Sequence, residues 1–317
     1  MSRQRNSQEN SSRGFVLVNA LVLVAALSAV AVLLLARAES GRARLQAGLQ
    51  ADQLALALDA FDALAITLLA QDRSDTDHPG EAWARVQAEQ ALARGAVSGR
   101  IEDLQGRFNV NWLADPDNAA ARTAFDRLLK ILVLPPRTGE AVRTALQPGG
   151  PQNRAAWARL DPPLDPVGGA LLDAGQLAGI PGLAPRSYQR LRPYITALPG
   201  GSRLNVNTAP PEVLAAFLPH LPPAALARLQ TALPAASPEA FRAAAAEQGQ
   251  PPEQSGEAAA DRQAAEQTAE HFTVVSRWFR ASSRAQLGTL SAQRSTVLHK
   301  AGGGRRPAVA WRLTRRP

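Results

Sequence analysis

An uncharged, apolar run from Phe15 to Ala36 dominates the N-terminal part of this sequence. Its 22 residues include no Asp, Glu, Lys or Arg. As a helix rising about 1.5 Å per residue, the run would span about 33 Å, close to the hydrocarbon thickness of a bilayer. The sequence therefore predicts a helix that crosses a membrane once, over residues 15–36.

A cleaved secretory signal is the competing interpretation of this run. The apolar part of such a signal is usually about 7–15 residues long and is followed by an Ala-x-Ala-like site. Ala36-Arg37-Ala38 offers such a site, so a secreted enzyme released near Ala38 stays an alternative. We favour a lasting anchor because the run is longer and no proline precedes Pro79.

The helix is expected to continue beyond the apolar run. Between Arg37 and Ala70, apolar residues recur every three to five positions, which indicates one face of an amphipathic helix. They are Leu45, Leu49, Leu54, Leu58, Phe61, Leu64, Leu68 and Leu69. We predict that partner helices pack on this stripe, at Leu45, Leu49, Leu54, Leu58 and Phe61.

Charge and cysteine content limit the chemistry that the chain can support. The net charge is +8, which leaves an anionic bilayer, an acidic protein or nucleic acid as partners. The sequence contains no cysteine, and this excludes disulfides, thiolate metal sites and cysteine nucleophiles.

The N-terminus resembles that of type IV prepilins and type II secretion pseudopilins. The resemblance lies in a short basic leader that ends at Gly14, followed by Phe15 at the start of an apolar helix. It implies that prepilin peptidase cuts between Gly14 and Phe15 and methylates the new N-terminus. It also implies a single-pass protein of the bacterial inner membrane with its C-terminal bulk in the periplasm.

Asn19 departs from the pattern of this superfamily. It is the fifth residue after Gly14, where the major subunits carry glutamate. A carboxylate within a bilayer is costly unless it is paired, and the subunit at the tip of a filament has no neighbour above it to provide the pair. The resemblance therefore makes Asn19 a marker of the tip position. A tolerated polar residue in an ordinary anchor is the alternative.

The rest of the chain resembles the protein K (GspK) family of minor pseudopilins. Three segments carry this resemblance in order: LQGRFNVNWL, LDAGQLAGIPGL and YITALPGGSRLNVNTAPPEVLAAFLP. They include a repeated Asn-x-Asn, at Asn109 and Asn111 and again at Asn205 and Asn207. The implied partners are the I-type and J-type minor pseudopilins, the major pseudopilin and prepilin peptidase, and the implied role is to nucleate or cap the pseudopilus.

The expected fold is α+β. A long N-terminal transmembrane helix packs on a pilin-like antiparallel sheet, with a large inserted helical domain that resembles helix-hairpin-helix units. The expected segments are a leader at 1–14, the transmembrane part of the helix at 15–36, the rest of the helix and the first core strands at 37–111, the inserted domain at 112–230, an Ala/Gln/Pro-rich helix and loop at 231–270, and the last core strands at 271–317.

Several local structures are also predicted. Ile101–Leu104 and Arg107–Val110 should form a hairpin around Gln105-Gly106. Asn207-Thr208 should cap a helix whose first turn holds Pro210 and Pro211. Further predictions are a helix that contains Phe125 and ends before Pro135, a helix from Ser237 to Gln248, a mobile loop over 247–263, and three strands within 271–283, 285–300 and 308–316.

Helix-hairpin-helix units favour a second hypothesis, a membrane-anchored DNA receptor. The turn Gly179-Ile180-Pro181-Gly182 could hold a phosphate with backbone N–H groups. The second unit has Pro219 and Pro222 where glycines are expected, so nucleic acid is the less favoured partner. A type IV pilus minor pilin is a further alternative.

The sequence indicates no enzyme. His78, His220, His271 and His299 lie far apart, no nucleophile elbow or phosphate loop is present, and Glu102 and Asp103 should point to opposite faces of a strand. Calcium binding is known in some members of the resembling family. Asp161 and Asp165 remain here without a dense carboxylate cluster, so we assign no metal ligands and no cofactor.

Overall fold

The structure is a computed structural model that describes residues 5–85, 87–92, 95–249, 271–302 and 305–315. The chain divides into two compact units, residues 1–57 and 58–317. Most of the predicted mobile loop lies outside the described residues, as do residues 1–4 of the predicted leader.

Helix α1 runs without interruption from Arg5 to Gln71, which confirms the single long helix expected from the sequence. Side chains from Phe15 to Ala36 are exposed. This part of α1 is long and apolar enough to cross a membrane.

Five antiparallel strands form the main sheet, in the order β1-β2-β7-β8-β9. Their bounds are Gln87–Leu92, Gly95–Asp103, Trp278–Leu287, Leu290–His299 and Ala308–Arg315. Strands β2 and β7 pair along their whole length, from Gly95 opposite Leu287 to Asp103 opposite Phe279. The described residues between these two strands form the helical domain, so the predicted α+β fold with a large insertion is confirmed.

The C-terminal part of α1 covers one face of the sheet. Leu58, Phe61 and Leu69 are buried on the side of the helix that faces it. A Cβ at Gly99 of β2 would lie 2.4 Å from Cζ of Phe61. Only glycine at this position lets the aromatic ring approach the strand so closely.

The inserted domain is built from short helices around an aromatic cluster. Its ring centroids are 5.1 Å apart for Phe108 and Phe125, 5.9 Å for Phe108 and Phe217, and 5.9 Å for Phe217 and Phe272. Within the described residues, the remaining helices are α2 (Ala82–Arg85), α3 (Ala119–Ile131), α4 (Pro136–Leu146), α5 (Ala155–Ala158), α6 (Pro185–Leu191), α7 (Pro211–Phe217), α8 (Pro223–Thr231) and α9 (Pro238–Gln248), with 3-10 turns at Val110–Ala114, Ala174–Gly179 and Arg192–Tyr194.

Two short parallel strand pairs lie where the Asn-x-Asn repeats begin. Strand β3 (Phe108–Asn109) pairs with β4 (Ile195–Thr196), and β5 (Leu204–Asn205) pairs with β6 (Phe272–Thr273). The predicted hairpin around Gln105-Gly106 is therefore wrong. Gln105 binds the Arg203 carbonyl and the Arg277 N–H instead, and β3 pairs with β4, so the chain does not fold back on β2.

Two other local predictions need correction. Pro210, not Asn207 or Thr208, occupies the N-cap of α7, because those two side chains are engaged elsewhere. The predicted strand over 285–300 is divided by a turn at Gly288, whose φ is +58°. The helix around Phe125 and the helix capped by Ser237 are confirmed, and β8 pairs with β9.

Candidate assembly surface and buried polar junction

The predicted cleavage position and tip marker lie on α1. Gly14 and Phe15 are both helical, Phe15 is exposed, and Asn19 is exposed one turn further along. Phe15 and Asn19 belong to a helical segment whose other residues are mostly apolar, and Asn19 interrupts it with one uncharged polar group. Cleavage after Gly14 and the meaning of Asn19 stay predictions.

The predicted partner stripe divides into two groups by exposure. Leu45 and Leu49 are 70% and 63% exposed, whereas Leu54, Leu58 and Phe61 are 4%, 0% and 4% exposed. Leu58 and Phe61 serve the protein's own core, which leaves Leu45 and Leu49 as the predicted partner contacts. Leu56 lies outside the predicted stripe and is 67% exposed.

Asp103, at the end of β2, is the centre of a buried polar junction between the sheet and the insertion. Its Oδ2 accepts hydrogen bonds from the Ser276 hydroxyl at 2.6 Å, from Asn205 Nδ2 at 3.0 Å and from the Thr208 hydroxyl at 2.5 Å. Its Oδ1 accepts from the Gln105 N–H at 2.7 Å. Four hydrogen bonds hold one carboxylate, so Asp103 fixes where the insertion leaves the sheet.

Asp77 forms the second carboxylate of this junction. Its Oδ2 accepts from the Ser276 N–H at 2.6 Å, and its Oδ1 lies 3.3 Å from Lys300 Nζ. Lys300 also donates to Asp72 Oδ2 at 2.7 Å. Burial raises the pKa of Asp77 to about 7 although Ser276 and Lys300 lower it, and burial likewise raises the pKa of Asp103 against its hydrogen bonds.

Asp72, Asp77 and Glu81 bring carboxylate oxygens within 4.8 Å of one another. This spacing could suit a metal ion, but the oxygens already have partners. Lys300 binds Asp72 and Asp77, and Glu81 Oε2 accepts from Trp83 Nε1 at 2.8 Å and from the His78 N–H at 3.0 Å. A lysine ammonium thus already supplies positive charge to this cluster, and we assign no metal to it.

The two Asn-x-Asn repeats make equivalent contacts. In each, the Oδ1 of the first asparagine accepts from the N–H of the second, at 3.2 Å for Asn109 and 3.0 Å for Asn205. The second asparagine then exchanges two hydrogen bonds with the backbone of a distant residue, Leu171 for Asn111 and Ala235 for Asn207. Asn111 Nδ2 also donates to the Leu198 carbonyl at 2.9 Å. The repeat therefore ties distant loops to the end of each short strand.

A charged network ties the C-terminal part of α1 to the sheet. Arg294 Nη1 of β8 lies 3.3 Å from Asp62 Oδ2 and also bonds Asp59, while Arg312 Nη2 of β9 lies 2.9 Å from Asp62 Oδ2. Thr296 donates to the same Asp62 oxygen at 3.0 Å. The network fixes the rotation of this part of the helix about its own axis.

The loop over 149–165 bears on the calcium expectation. Arg154 donates to the Asp165 carboxylate, to the Gly149 carbonyl at 2.9 Å and to the Pro151 carbonyl at 3.4 Å. A guanidinium therefore takes up the carboxylate and carbonyl oxygens that a calcium ion would need. Asp161 is exposed, and these residues alone do not make a calcium site.

The first helix-hairpin-helix turn has the predicted position. Gly182 has a φ of +85°, and the Leu183 N–H donates to the Ile180 carbonyl at 3.3 Å. Ile180 and Leu183 are buried in the core of the insertion, and a Cβ at Gly182 would lie 3.3 Å from Cβ of Ala141. The turn packs against α4, which supports a structural use of this geometry.

The sequence predicts the four histidines, His78, His220, His271 and His299, to be surface or loop residues and not metal ligands. His299 stacks on Trp278 with ring centroids 4.4 Å apart, His271 lies against Trp112 at 5.5 Å, and His78 Nδ1 accepts from the Gly80 N–H at 3.1 Å. These contacts are structural in kind. Glu102 and Asp103 point to opposite faces as predicted, and Glu102 pairs with Arg100 and Arg107.

Known proteins similar to this chain share one description. A family model described as type II secretion system (T2SS), protein K, matches residues 106–200. Type II secretion system protein K of Aeromonas hydrophila is 32% identical over 176 residues, 48% of this chain and 53% of that protein. The protein of the same name from Pseudomonas aeruginosa is 35% identical over 161 residues, 46% of this chain and 47% of that protein.

A solved structure shares the fold. The crystal structure of the GspK-GspI-GspJ complex from the type 2 secretion system of enterotoxigenic Escherichia coli contains a chain that matches with a TM-score of 0.71. The match has 20% sequence identity and covers 86% of this chain and 99% of that one. This chain spans about half the length of the curated relatives it matches. The predicted resemblance to protein K is confirmed.

Proposed function

We propose that this protein is the minor pseudopilin at the tip of a type II secretion pseudopilus, where it nucleates or caps assembly. The observation that carries the proposal is that two features occur together in one chain. A protein K-like insertion sits in a small antiparallel sheet, and the helix packed on that sheet begins as an exposed apolar segment that carries Asn19.

The membrane arrangement follows from this role. Residues 15–36 anchor the protein in the inner membrane, the N-terminus is cytoplasmic and the bulk of the chain is periplasmic. Charge alone would not fix the orientation, because Arg3, Arg5 and Arg13 precede the span and Arg37, Arg42 and Arg44 follow it. Orientation therefore depends on recognition of Gly14 by prepilin peptidase.

The partners are proposed to be the I-type and J-type minor pseudopilins and, below them, the major pseudopilin. The similar solved chain was crystallised in a complex of GspK with GspI and GspJ. Exposed Leu45 and Leu49 on α1 are suitable contacts for helices of such partners. Calcium has no role in this proposal, and the protein acts by binding, not by catalysis.

Mass spectrometry of the mature N-terminus in cells that contain prepilin peptidase tests the proposal. A chain that begins at methylated Phe15 supports it, and Gly14→Ala should abolish the cut. A chain that begins near Glu39 would mean a cleaved secretory signal and would end the proposal. A type IV pilus minor pilin would share the cut at Gly14 but would co-purify with pilus subunits instead of secretion pseudopilins.

The DNA-receptor hypothesis is tested separately. It predicts binding of duplex DNA that weakens steeply with salt, because phosphate neutralisation releases counterions. Gly179→Ala and Gly182→Ala should then reduce binding. We expect no salt-sensitive duplex binding, because Ile180 and Leu183 of this turn are buried in the core of the insertion.

A further inference from the structure

A second apolar face of α1 remains uncovered beyond the apolar run. Leu45, Leu49 and Leu56 are 70%, 63% and 67% exposed, and Asp52 is exposed among them. These four residues, which we call the 45–56 seam, follow one another at spacings of four, three and four. At about 100° per residue they fall within an arc of about 60° on the helix. This spacing is that of the core positions of a coiled coil.

Lipid cannot cover the 45–56 seam if α1 stands across the bilayer. Leu45 is nine residues beyond Ala36 and Leu56 is twenty, so they lie about 14 Å and about 30 Å beyond the hydrocarbon edge. The headgroup region adds only about 5–8 Å on each side. Either water or another protein can then cover the seam, and three exposed leucines within one arc of the helix favour protein.

Asp52 decides what kind of protein this is. In a parallel pair of two copies of this chain, Asp52 would face Asp52, and like charges in a coiled-coil core position repel. A partner with only leucines opposite would leave the carboxylate covered and unpaired, which costs free energy. A partner with an arginine or lysine at this level satisfies the carboxylate and fixes the register of the two helices.

The seam also continues along the same helix as the apolar segment that anchors the chain. A helix that packs on it over several turns and leaves the same membrane runs parallel to α1. We propose that the 45–56 seam binds a parallel, membrane-anchored helix of a different protein, whose leucine-type side chains meet Leu45, Leu49 and Leu56 and whose arginine or lysine pairs with Asp52. This inference rests on the proposed function and adds to it the chemistry and register of the partner.

The test uses the full-length chain co-expressed with the I-type and J-type minor pseudopilins of the same genome, extracted in detergent and captured by a C-terminal tag. Asp52→Arg should lower recovery of the partners about tenfold or more, because it opposes two positive charges. Gln53→Arg is the control: it places an arginine one residue along, about 100° around the helix from Asp52, and changes the charge by one unit where Asp52→Arg changes it by two. Recovery should stay within about twofold of wild type.

Asp52→Leu tests whether a cation of the partner pairs with the Asp52 carboxylate or whether the carboxylate is only tolerated within the seam. If a partner cation meets Asp52, leucine leaves that cation unpaired and recovery falls. If the seam is purely apolar, leucine improves packing and recovery rises, which would overturn the inference. An Arg or Lys to Asp change in one partner helix that restores binding to Asp52→Arg would support it and identify the contact.

The remaining outcomes are also decisive. Recovery at the wild-type level for both Asp52 variants and for Leu49→Ala would overturn the seam while the proposed function stands, because the wild-type complex still forms. Capture of a differently tagged second copy of this chain in place of the partners would overturn the assigned occupant. If wild type recovers neither partner type, both the inference and the proposed function fail.

Discussion

Asn111 and Asn207 make the same pair of hydrogen bonds at two separate places in the insertion. Asn111 Oδ1 accepts from the Leu171 N–H at 2.7 Å, and its Nδ2 donates to the Leu171 carbonyl at 2.9 Å. Asn207 Oδ1 accepts from the Ala235 N–H at 2.8 Å, and its Nδ2 donates to the Ala235 carbonyl at 3.1 Å. Each asparagine side chain thus makes the two hydrogen bonds that a neighbouring strand would otherwise make with the N–H and the carbonyl of that residue.

Replacing either asparagine by alanine should destabilise the insertion. Asn111→Ala leaves both polar groups of Leu171 without these bonds, and Asn207→Ala does the same to Ala235. We expect a loss of about 1–3 kcal/mol in the free energy of unfolding for each, measured by urea denaturation of the full chain in detergent. Asn153→Ala, at an exposed asparagine with one bond to the Ala155 N–H, should cost less than either. Equal losses for all three would contradict a special role for the repeat.

Sequence patterns predicted the elements that depend on local chemistry. The long helix follows from an apolar run with no proline, and α9 follows from Ser237 ahead of Pro238, where the serine hydroxyl accepts from the Ala240 N–H. The Asn-x-Asn repeats could be recognised as markers of a family, but their contacts could not be predicted, because the partners Leu171 and Ala235 lie 60 and 28 residues away.

The failures have a common physical cause. Gln105-Gly106 has the composition of a hairpin turn. Hydrogen bonds between the Gln105 side chain and the backbone of Arg203 and Arg277, which are distant in sequence, hold it in a different conformation. The strand pattern of Asp103 indicates only the face to which it points, whereas three of its four donors, on Asn205, Thr208 and Ser276, lie 102, 105 and 173 residues away. The alternation of polar and apolar residues shows that an acidic residue of a strand faces the core, but it does not identify the residues that hydrogen-bond to it.

The buried junction should make stability depend on pH. The folded pKa of Asp77 is raised to about 7 from 3.8, so the folded protein binds this proton more tightly than the unfolded chain. The contribution of Asp77 to the free energy of unfolding is therefore fully present below about pH 4 and is lost as the pH rises through about 7. The raised pKa of Asp103 acts in the same direction.

Urea midpoints of the full chain at pH 5 and pH 8 measure this effect. We expect the Asp77 contribution to fall by about 2–3 kcal/mol between these values, and Asp77→Asn should remove that part of the change. Asp75→Asn, at an exposed neighbouring acid, should leave the pH dependence as in wild type. A wild-type protein that becomes more stable from pH 5 to pH 8 would contradict the raised pKa of Asp77.

Calcium removal should leave the loop over 149–165 unchanged. Arg154 is already bonded to Asp165 and to the carbonyls of Gly149 and Pro151, so we expect the same melting temperature with calcium or with a chelator. Arg154→Ala should cost no more than about 1 kcal/mol, because the pair with Asp165 is largely exposed. A clear loss of stability on chelation of the wild-type protein would show that metal ligands lie elsewhere in the chain.

Replacing Val133 by glycine should stabilise the C-terminal cap of α3. Val133 follows this helix with a φ of +51°, and the Leu134 N–H beside it donates to the Leu129 carbonyl at 2.8 Å. Glycine is the usual residue in such a cap, since a left-handed backbone costs an L-residue about 1–2 kcal/mol. Val133 is 74% exposed, so Val133→Gly loses little packing.

After the greater chain entropy of glycine is subtracted, Val133→Gly should raise the free energy of unfolding by about 0.5–1 kcal/mol. The readout is a higher urea midpoint with an unchanged slope. Val167→Gly is the matched control, because Val167 is 78% exposed and its φ is not positive, so the same change should lower the midpoint slightly. If both variants lower the midpoint equally, the left-handed backbone at Val133 carries no strain that glycine relieves.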